Sequence, residues 1–376
     1  MERIWLSSPH MGGNEKKYVE EAFDTNWIAP LGPNVDAFER ELGENVGSKA
    51  VLALNSGSAA IHLALQILNI RQNDVVLCQS FTFAASAFPI SYCNAKPVFI
   101  DSEPETWNMD PILLEQAIKE SISIGKKPAA IIVVHLYGMP AKLDAIVQIA
   151  THYQIPLIED AAESLGSLYN GIPCGSFGDF GILSFNGNKI ITTSGGGALL
   201  GKDEKLIARA RYLSTQAKAD APYYLHHDIG YNYRLSNVLA GIGRGQLEVL
   251  PERVKRRRAI FEEYRKELSG IEGIEFLNEP EGAFSNRWLT TMVFDTHKWG
   301  NDITNLLRLS LEKQNIESRP LWKPLHQQPI YNGCKSYLNG VSDKLFDSGI
   351  CLPSGSNLSD EKLEKVIKDI KKFLAA

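Results

Sequence analysis

Short apolar runs alternate with longer helical patterns between about residues 50 and 200, and this alternation constrains the fold more than any other feature of the sequence. The predicted strands are 51–54, 75–78, 97–100, 130–134, 157–159 and 181–185. The predicted helices between them are 58–68, 82–93, 111–120 and 143–153. The strands are apolar throughout, which is typical of strands buried on both faces. The pattern therefore predicts an α/β fold with a mainly parallel central sheet that is flanked by helices.

A long amphipathic helix is predicted for residues 246–268, and a domain boundary is expected near its start. Beyond Gly270, segments 274–276 and 288–294 read as strands, whereas 302–314 and 360–374 have helical periodicity. We therefore predict a large α/β domain over 1–245, and the linking helix with a smaller α+β domain over 246–376. The basic run 255–258 has glutamates nearby on the same helix, so we expect a solvated face and not a nucleic-acid patch.

Charge and cysteine content exclude several classes of protein. The 39 lysines and arginines against 44 aspartates and glutamates give a formal net charge of −5, so we expect no nucleic-acid partner and no membrane surface. The longest near-continuous apolar run, 128–137, is shorter than the roughly 18 residues that cross a bilayer. The N-terminus lacks the pattern of a signal peptide, and the five cysteines include no Cys-x-x-Cys pair. A cytoplasmic protein without a metal site is therefore expected.

Three loops that follow predicted strand ends carry the residues with chemical potential, and open α/β sheets bind ligands at such ends. The first, 55–60, contains Ser56, Gly57 and Ser58 immediately before an apolar helix. Hydroxyls, a glycine and free amides at a helix N-terminus together favour a phosphate. A serine N-cap after a tight turn explains the same residues without any ligand.

The second loop ends a strand with acidic residues, and the third contains a lysine close to a serine. Asp160 and Glu163 belong to the second loop, and Ser184 and Lys189 to the third. Taken alone, an acidic residue at a strand end is more simply interpreted as a helix cap, and a lone lysine as a surface residue. Together, a phosphate cradle, an amine and a carboxylate are the parts of a pyridoxal phosphate site, because the amine forms an imine and the carboxylate keeps the pyridine nitrogen protonated.

The sequence resembles the DegT/DnrJ/EryC1/StrS family of sugar aminotransferases over essentially its whole length. The segments that carry the resemblance are 27–33, 55–60, 80–84, 135–138, 159–163, 184–189 and 230–237. The resemblance implies an aspartate-aminotransferase-like fold of type I and pyridoxal 5'-phosphate as the cofactor. It also implies L-glutamate as the amino donor, a nucleotide sugar as the acceptor, and a homodimer with shared active sites.

The resemblance also assigns roles to individual positions. Lys189 matches the Schiff-base lysine and the mobile base, and Asp160 matches the partner of the pyridine nitrogen. Phe83 matches a ring that stacks on the cofactor, for which core packing is the plain alternative. The phosphate-holding positions are Ser56, Gly57 and Ser184, to which the loop adds Ser58, and Asn232 matches the residue that reaches the phosphate from the neighbouring subunit.

Glu163 departs from the family pattern, in which Gln or His is common at this position. A carboxylate here looks like the branch that aminates C4 of UDP-linked 4-keto-6-deoxy-N-acetylhexosamines, so Glu163 is expected to contact both cofactor and substrate. The segment 317–326 looks like the family's sugar-nucleotide segment. Its candidate substrate contacts are Arg319, Trp322, Lys323 and His326, although two prolines make a stiff loop in which Trp322 could simply be packed.

Three alternatives stay open to different degrees. Related dehydratases carry His in place of the imine lysine, and Lys189 argues against that activity. A non-catalytic regulator with bound cofactor would be expected to carry an added DNA-binding motif, which this acidic chain lacks. The same reaction on a GDP- or dTDP-linked sugar, of the perosamine type or at C3, is compatible with every residue considered above.

Overall fold

The computed structural model describes residues 2–375, which form thirteen α-helices, fifteen strands and four short 3-10 helices. The helices are α1 (Glu15–Asp24), α2 (Pro33–Val46), α3 (Gly57–Ile67), α4 (Phe88–Tyr92), α5 (Pro111–Ser123), α6 (Leu143–Tyr153), α7 (Glu204–Ser214), α8 (Asn237–Glu248), α9 (Leu250–Leu268), α10 (Thr296–Trp299), α11 (Ile303–Lys313), α12 (Val341–Ser348) and α13 (Asp360–Leu374). The strands are β1 (Ala50–Leu54), β2 (Val75–Gln79), β3 (Lys96–Ile100), β4 (Ala130–Val134), β5 (Leu157–Asp160), β6 (Leu168–Tyr169), β7 (Ile172–Pro173), β8 (Phe180–Ser184), β9 (Gly197–Gly201), β10 (Ile274–Phe276), β11 (Ala283–Phe284), β12 (Thr290–Phe294), β13 (Arg319–Pro320), β14 (Ser336–Tyr337) and β15 (Gly349–Leu352).

An eight-stranded sheet forms the centre of the fold, in the order β1-β9-β8-β5-β4-β2-β3-β14. All neighbours from β8 to β14 pair in parallel, and only β9 runs against the others, between β1 and β8. The central strands are almost entirely buried, as expected for a sheet with helices on both faces. Because β1, β5 and β8 point the same way, the loops that follow them meet at one edge of the sheet.

The structure corrects two helices of the sequence prediction. Residues 82–93 form a 3-10 helix at Ala84–Ser86 and the short α4, because Pro89 has no N–H to continue a helix through the segment. The helix predicted at 246–268 is interrupted at Val249, where α8 has ended and α9 begins. Pro251 explains the break, since a proline is accommodated in the first turn of a helix and not in its interior.

A second sheet of four antiparallel strands, β10-β12-β15-β13, packs with α9, α11 and α13 around its own apolar cluster. Ile4 joins this cluster from the other end of the chain and pairs with Ile316. The division at residue 245 stays a prediction. Among residues 2–375, no helix combines the length and the apolar character that crossing a bilayer demands.

The basic run 255–258 is only partly a solvated face: Lys255 is exposed, whereas its three arginines bind other parts of the protein. Arg257 is only 1% exposed, and its guanidinium donates to the backbone carbonyl of Trp288 and to the Ser7 hydroxyl. Arg256 and Arg258 make ion pairs with Asp360 and Glu279 respectively. Periodicity places Lys and Arg on the outside by default, and it does not show that another segment later covers the face.

Candidate active site

A cavity of about 350 Å³ opens at the carboxyl edge of the large sheet, where the loops after β1, β5 and β8 meet. It brings together most of the cofactor-site residues predicted from sequence, and also Trp322 from the segment 317–326. The predicted residues that line it are Ser56, Gly57, Ser58, Phe83, Asp160, Glu163, Ser184, Lys189 and Trp322. Side chains from three separate loops of the sheet thus face one space.

One end of the cavity is suited to an anion. Ser56 caps α3 with its hydroxyl, which accepts from the Ala59 amide at 3.1 Å, and α3 begins at Gly57. Free amides at a helix N-terminus carry partial positive charge. Gly197 of β9 lies so close to the Ser56–Gly57 peptide that a Cβ there would be 2.4 Å from the Gly57 nitrogen. The glycine therefore lets β9 support the loop from behind, with Ser184 beside it.

Asp160 ends β5 and is held by hydrogen bonds to both carboxylate oxygens. Ser86 donates to Oδ2 at 2.6 Å, and the Ala162 amide donates to Oδ1 at 3.2 Å. The Ser86 hydroxyl is also 3.0 Å from the hydroxyl of Thr82. Sequence reasoning missed Ser86 and Thr82 because it placed them in a helix. The available signal was a pair of hydroxyls four residues apart in an apolar stretch.

Lys189 and Glu163 face each other, with Nζ and Oε1 3.6 Å apart. The carboxylate also accepts from the Tyr137 amide at 2.7 Å. Burial raises the pKa of Glu163 above the usual glutamate value, and the charge of Asp160 acts in the same direction, while Lys189 and the Tyr137 amide oppose them. The site thus contains an amine next to a carboxyl group that keeps its proton to higher pH than an ordinary glutamate does.

A tight turn at Tyr137 aims its amide at Glu163, and buried polar residues hold that turn. Tyr137 has a φ of 54°, and Gly138 follows with a φ of 89°. His135 accepts from the Ala141 amide at Nδ1, so its Nε2–H donates to the carboxylate of Glu159 at 2.9 Å. The 135–138 segment that carried part of the family resemblance therefore works here as a support for Glu163.

Aromatic rings form one wall of the cavity. Phe83 is 52% exposed, and its ring centroid is 5.4 Å from that of Trp322. Trp322 lies nearly parallel to Tyr137, and its backbone amide donates to the Tyr137 hydroxyl at 2.8 Å. Its indole Nε1 is buried and has no hydrogen-bond partner among the described residues. An exposed ring and an unused donor are both available to a planar ligand.

Four predicted residues lie outside the lining of this cavity. Arg319 is exposed and pairs with Glu317 at 3.0 Å, and the ammonium of Lys323 lies over the Phe346 ring. His326 is held between the Ser80 hydroxyl at 2.7 Å and the Asp343 carboxylate at 2.9 Å. Asn232 is exposed, and its carbonyl accepts from the Asn55 side chain at 3.3 Å. Their roles toward substrate and partner subunit stay predictions.

The cavity fits pyridoxal phosphate in each part that the cofactor requires. It offers an anion-binding end, a primary amine, a carboxylate held in one orientation and an exposed ring of the right character for stacking. Trp288 was not predicted from sequence. It lines the cavity, its ring lies against the amine of Lys189, and it is more than ninety residues farther along the chain.

Comparison with known proteins agrees with this fit. A model of the DegT/DnrJ/EryC1/StrS aminotransferase family matches residues 9–371. EpsN of Bacillus subtilis, named as a pyridoxal phosphate-dependent aminotransferase, is 53% identical over 97% of this chain and 94% of its own. GDP-perosamine synthase of Escherichia coli O157:H7 is 35% identical over 99% of both chains.

Solved structures have the same fold. The pyridoxal phosphate form of Spr1654 from Streptococcus pneumoniae, named as a sugar aminotransferase, superposes with a TM-score of 0.91 at 28% identity, over 99% of this chain and 98% of that one. This confirms the predicted aspartate-aminotransferase-like fold of type I. The chain therefore belongs to the DegT/DnrJ/EryC1/StrS aminotransferase family and is a pyridoxal phosphate-dependent aminotransferase.

Proposed function

We propose that this chain transfers an amino group from L-glutamate to C4 of a nucleotide-linked 4-keto-6-deoxy sugar. The proposed acceptor is UDP-2-acetamido-2,6-dideoxy-4-ketohexose, and the product is the UDP-4-amino sugar used in surface glycan or glycoprotein synthesis. The observation that carries this choice is the buried carboxyl group of Glu163, 3.6 Å from Lys189. Family members commonly have Gln or His at this position, and the carboxylate resembles the branch that acts on UDP sugars.

Bound pyridoxal phosphate supplies an electron sink that stabilises negative charge on a neighbouring carbon. In the proposed mechanism the hydroxyl of Ser184 and the amides at the start of α3 bind its phosphate. Asp160, oriented by Ser86, holds a proton on the ring nitrogen. Lys189 would hold the cofactor through Nζ, and as a free amine it would remove the proton from the α-carbon of L-glutamate. In the second half of the cycle Lys189 returns a proton to the sugar carbon.

Glu163 supports this proton transfer from its place beside Lys189. Because burial raises the pKa of Glu163, its carboxyl group keeps a proton to higher pH than an ordinary glutamate does and can share it with the amine 3.6 Å away. The Tyr137 amide holds the carboxylate in one position, which keeps the distance between the two groups constant. Gln in place of Glu163 preserves the shape of the group and removes the shared proton.

The acceptor is tested by assaying the purified protein with several sugar nucleotides. Purified protein receives L-glutamate with UDP-, dTDP- or GDP-linked 4-keto-6-deoxy sugars, and 2-oxoglutarate is measured. We expect release with the UDP sugar, and NMR of the product should place the new amine on C4. Turnover confined to a dTDP or GDP sugar would overturn the proposed acceptor. Lys189→Ala is the matched control, because it retains the cavity without the reactive amine.

A GDP-linked acceptor is the second candidate. GDP-perosamine synthase is similar to this chain over 99% of both lengths, and its name describes an amination of a GDP-linked sugar. The roles proposed for Lys189 and Asp160 are the same for either nucleotide. The same assay distinguishes the two acceptors, whereas a non-catalytic regulator would release no 2-oxoglutarate with any of them.

We also propose that the active protein is a homodimer whose sites are shared. Large apolar side chains are exposed on two segments beside the start of α8, namely Trp27, Ile28 and Leu31, and Tyr223, Tyr224 and Ile229. Asn237 at the start of α8 donates to the Trp27 carbonyl, so the first segment lies against the start of α8. Exposed large apolar side chains of this kind favour association. Asn232, three residues after Ile229, is exposed and can reach a partner chain.

Complementation tests the shared site. Lys189→Ala and Asn232→Ala are produced together, and the mixed dimers are compared with each variant alone. A shared site predicts that each mixed dimer regains one intact site, so the mixture should recover about a quarter of natural activity. A monomer by light scattering, or no recovery in mixed dimers, would contradict the proposal.

A further inference from the structure

Trp288 contacts the amine of Lys189 directly. The Lys189 Nζ lies over the indole ring, 4.2 Å from its centroid, and the ring is almost completely buried. The same indole donates through Nε1 to the carbonyl of Asn188 at 2.8 Å. One side chain therefore binds both the reacting atom and the backbone that carries it.

The position of the Trp288 ring is held by residues distant in sequence. Ser7 donates to the Asn188 carbonyl at 2.7 Å, so this oxygen accepts from both Ser7 and Trp288. Arg257 completes the arrangement by donating to the Trp288 carbonyl and to the Ser7 hydroxyl. We call these four residues, Ser7, Asn188, Arg257 and Trp288, the lysine-loop network. Every member is bound to two others, and the ring face cannot turn away from Lys189 without breaking the hydrogen bond from Nε1 to the Asn188 carbonyl.

The segment around Trp288 also positions the second partner of the amine. Asn286 donates to the carbonyl of Glu163 at 2.9 Å and accepts from the Trp288 amide at 2.8 Å. The backbones of Glu163 and Trp288 are thus linked through one buried asparagine. The amine of Lys189 has a carboxyl oxygen of Glu163 on one side and the face of the Trp288 ring on the other.

We propose that the indole face of Trp288 and the carboxylate of Glu163 together bind the protonated ammonium of Lys189 while this amine is detached from the cofactor. The proposal rests on the role of Lys189 in the proposed function. In that step the α-C–H bond of the donor breaks, its proton forms a new N–H bond on Lys189, and the electron pair passes to the cofactor. The new positive charge develops in a cavity, where an aromatic face and a carboxylate both attract it. Trp288 is therefore a further catalytic residue.

The test changes the charge on the ring face and leaves the shape of the residue nearly unchanged. The protein is produced with tryptophan replaced by mono-, di- and trifluorotryptophan, and the single-turnover rate with L-glutamate is measured. Fluorine withdraws electron density from the ring face, so the rate should fall stepwise, by about 3- to 30-fold over the series. Trp288→Phe chains, grown with the same analogues, contain no indole at this position and should show no dependence on fluorine.

Two results would overturn the proposal. One is a rate that does not change with fluorination, and the other is an equal dependence in the Trp288→Phe chains, which would assign the effect to another tryptophan such as Trp322. Ser7→Ala is the matched control, because it removes one donor to the Asn188 carbonyl and leaves the ring face intact. It should keep the fluorine dependence.

A second readout does not need turnover. In the cofactor-free protein, acetic anhydride labels free amines, and mass spectrometry compares Lys189 with the exposed Lys205 as an internal reference. An ammonium held by Trp288 and Glu163 is protected, so relative labelling of Lys189 should rise several-fold across the fluorine series. Unchanged labelling would contradict the proposed contact.

The isotope effect and covalent trapping separate the possible failures. With α-deuterated L-glutamate, the isotope effect on the half-reaction should grow with fluorination, whereas a purely structural role would lower the active fraction and leave this effect constant. Borohydride reduction followed by peptide mapping shows whether Lys189 carries the cofactor. A cofactor on another residue refutes the proposed function, whereas a cofactor on Lys189 without a fluorine dependence refutes only the role of Trp288.

Discussion

Replacing Gly138 with alanine should disturb the support of the active site through one steric contact. Gly138 has a φ of 89°, and a Cβ built on it would lie 1.9 Å from Oδ1 of Asn286. Asn286 is completely buried, so its side chain has no solvent-filled space to move into. An added methyl group must therefore displace the residue that links Glu163 to Trp288.

The size of the effect follows from what Asn286 binds. Its amide donates to the carbonyls of Glu163 and Leu165, both at 2.9 Å, and its Oδ1 accepts from the Trp288 amide at 2.8 Å. Losing these buried hydrogen bonds costs about 1 kcal/mol each, or about 3 kcal/mol in total. Holding alanine at positive φ adds about 1–2 kcal/mol. We therefore expect Gly138→Ala to lower the free energy of unfolding by about 4–5 kcal/mol.

Thermal unfolding of the cofactor-free protein, followed by circular dichroism, measures the loss. For 376 residues the unfolding entropy is about 0.8 kcal/mol/K, so Gly138→Ala should lower the midpoint by about 6 °C. Gly125→Ala is the matched control, because Gly125 has a φ of 73° and no atom within 4 Å of the built Cβ. It should lose only about 2 °C.

A double-mutant cycle isolates the steric contact. In an Asn286→Ala background the obstructing side chain is absent, so adding Gly138→Ala should cost only the backbone strain of about 1–2 kcal/mol. The two substitutions should therefore couple by about 3 kcal/mol. Equal midpoints for Gly138→Ala and Gly125→Ala, or additive effects in the cycle, would refute the contact between Gly138 and Asn286.

Three further predictions concern the cavity itself. Ser86→Ala removes the 2.6 Å hydrogen bond to Asp160 and should weaken cofactor binding about 10- to 100-fold in an absorbance titration. Thr82→Val is the milder control, because the Thr82 hydroxyl contacts Ser86 and not Asp160. Burial raises the pKa of Glu163, so the native chain holds this proton more tightly than the unfolded chain does, and the resulting stability is present below the ordinary glutamate pKa and lost as the pH rises through the raised value. Glu163→Gln does not titrate, so its unfolding midpoint relative to the natural protein should increase as the pH rises above the ordinary glutamate pKa of about 4, and a constant difference would contradict this sign. Trp322→Phe removes an indole N–H that has no partner among the described residues, so the unfolding midpoint should stay within about 1 °C of that of the natural protein. The KM for the sugar nucleotide should rise about 5- to 10-fold, and the KM for L-glutamate should be unchanged.

The central sheet could be predicted from sequence because its strands are apolar along their full length. Residues 130–134 and 143–153 form a strand and a helix with the predicted bounds, and the ends of the other five predicted strands of the large sheet shift by one residue at most. The antiparallel β9 was not predicted, because the glycines around it read as a loop. The segments with prolines, at Pro89 and Pro251, are where helical periodicity was misleading.

The cavity was predicted only as far as strand order could place residues together. Parallel strands bring the loops with Ser56, Asp160 and Lys189 to one edge, and that reasoning needs no tertiary information. Trp288 and Ser86 could not be found in the same way. Trp288 reaches the cavity from a segment before β12, through a backbone that takes positive φ at Arg287, and no local pattern indicates that path. The burial of Arg257 depends on the same packing.

The lysine-loop network has a consequence for biosynthesis. Its members are at positions 7, 188, 257 and 288. Ser7, near the start of the chain, and Trp288, in its last quarter, both donate to the carbonyl of Asn188, the residue before Lys189. A nascent polypeptide that has emerged only through β9 contains the reactive lysine without the indole and guanidinium that hold its loop. The loop before Lys189 therefore cannot form its full set of native hydrogen bonds until translation has passed residue 288.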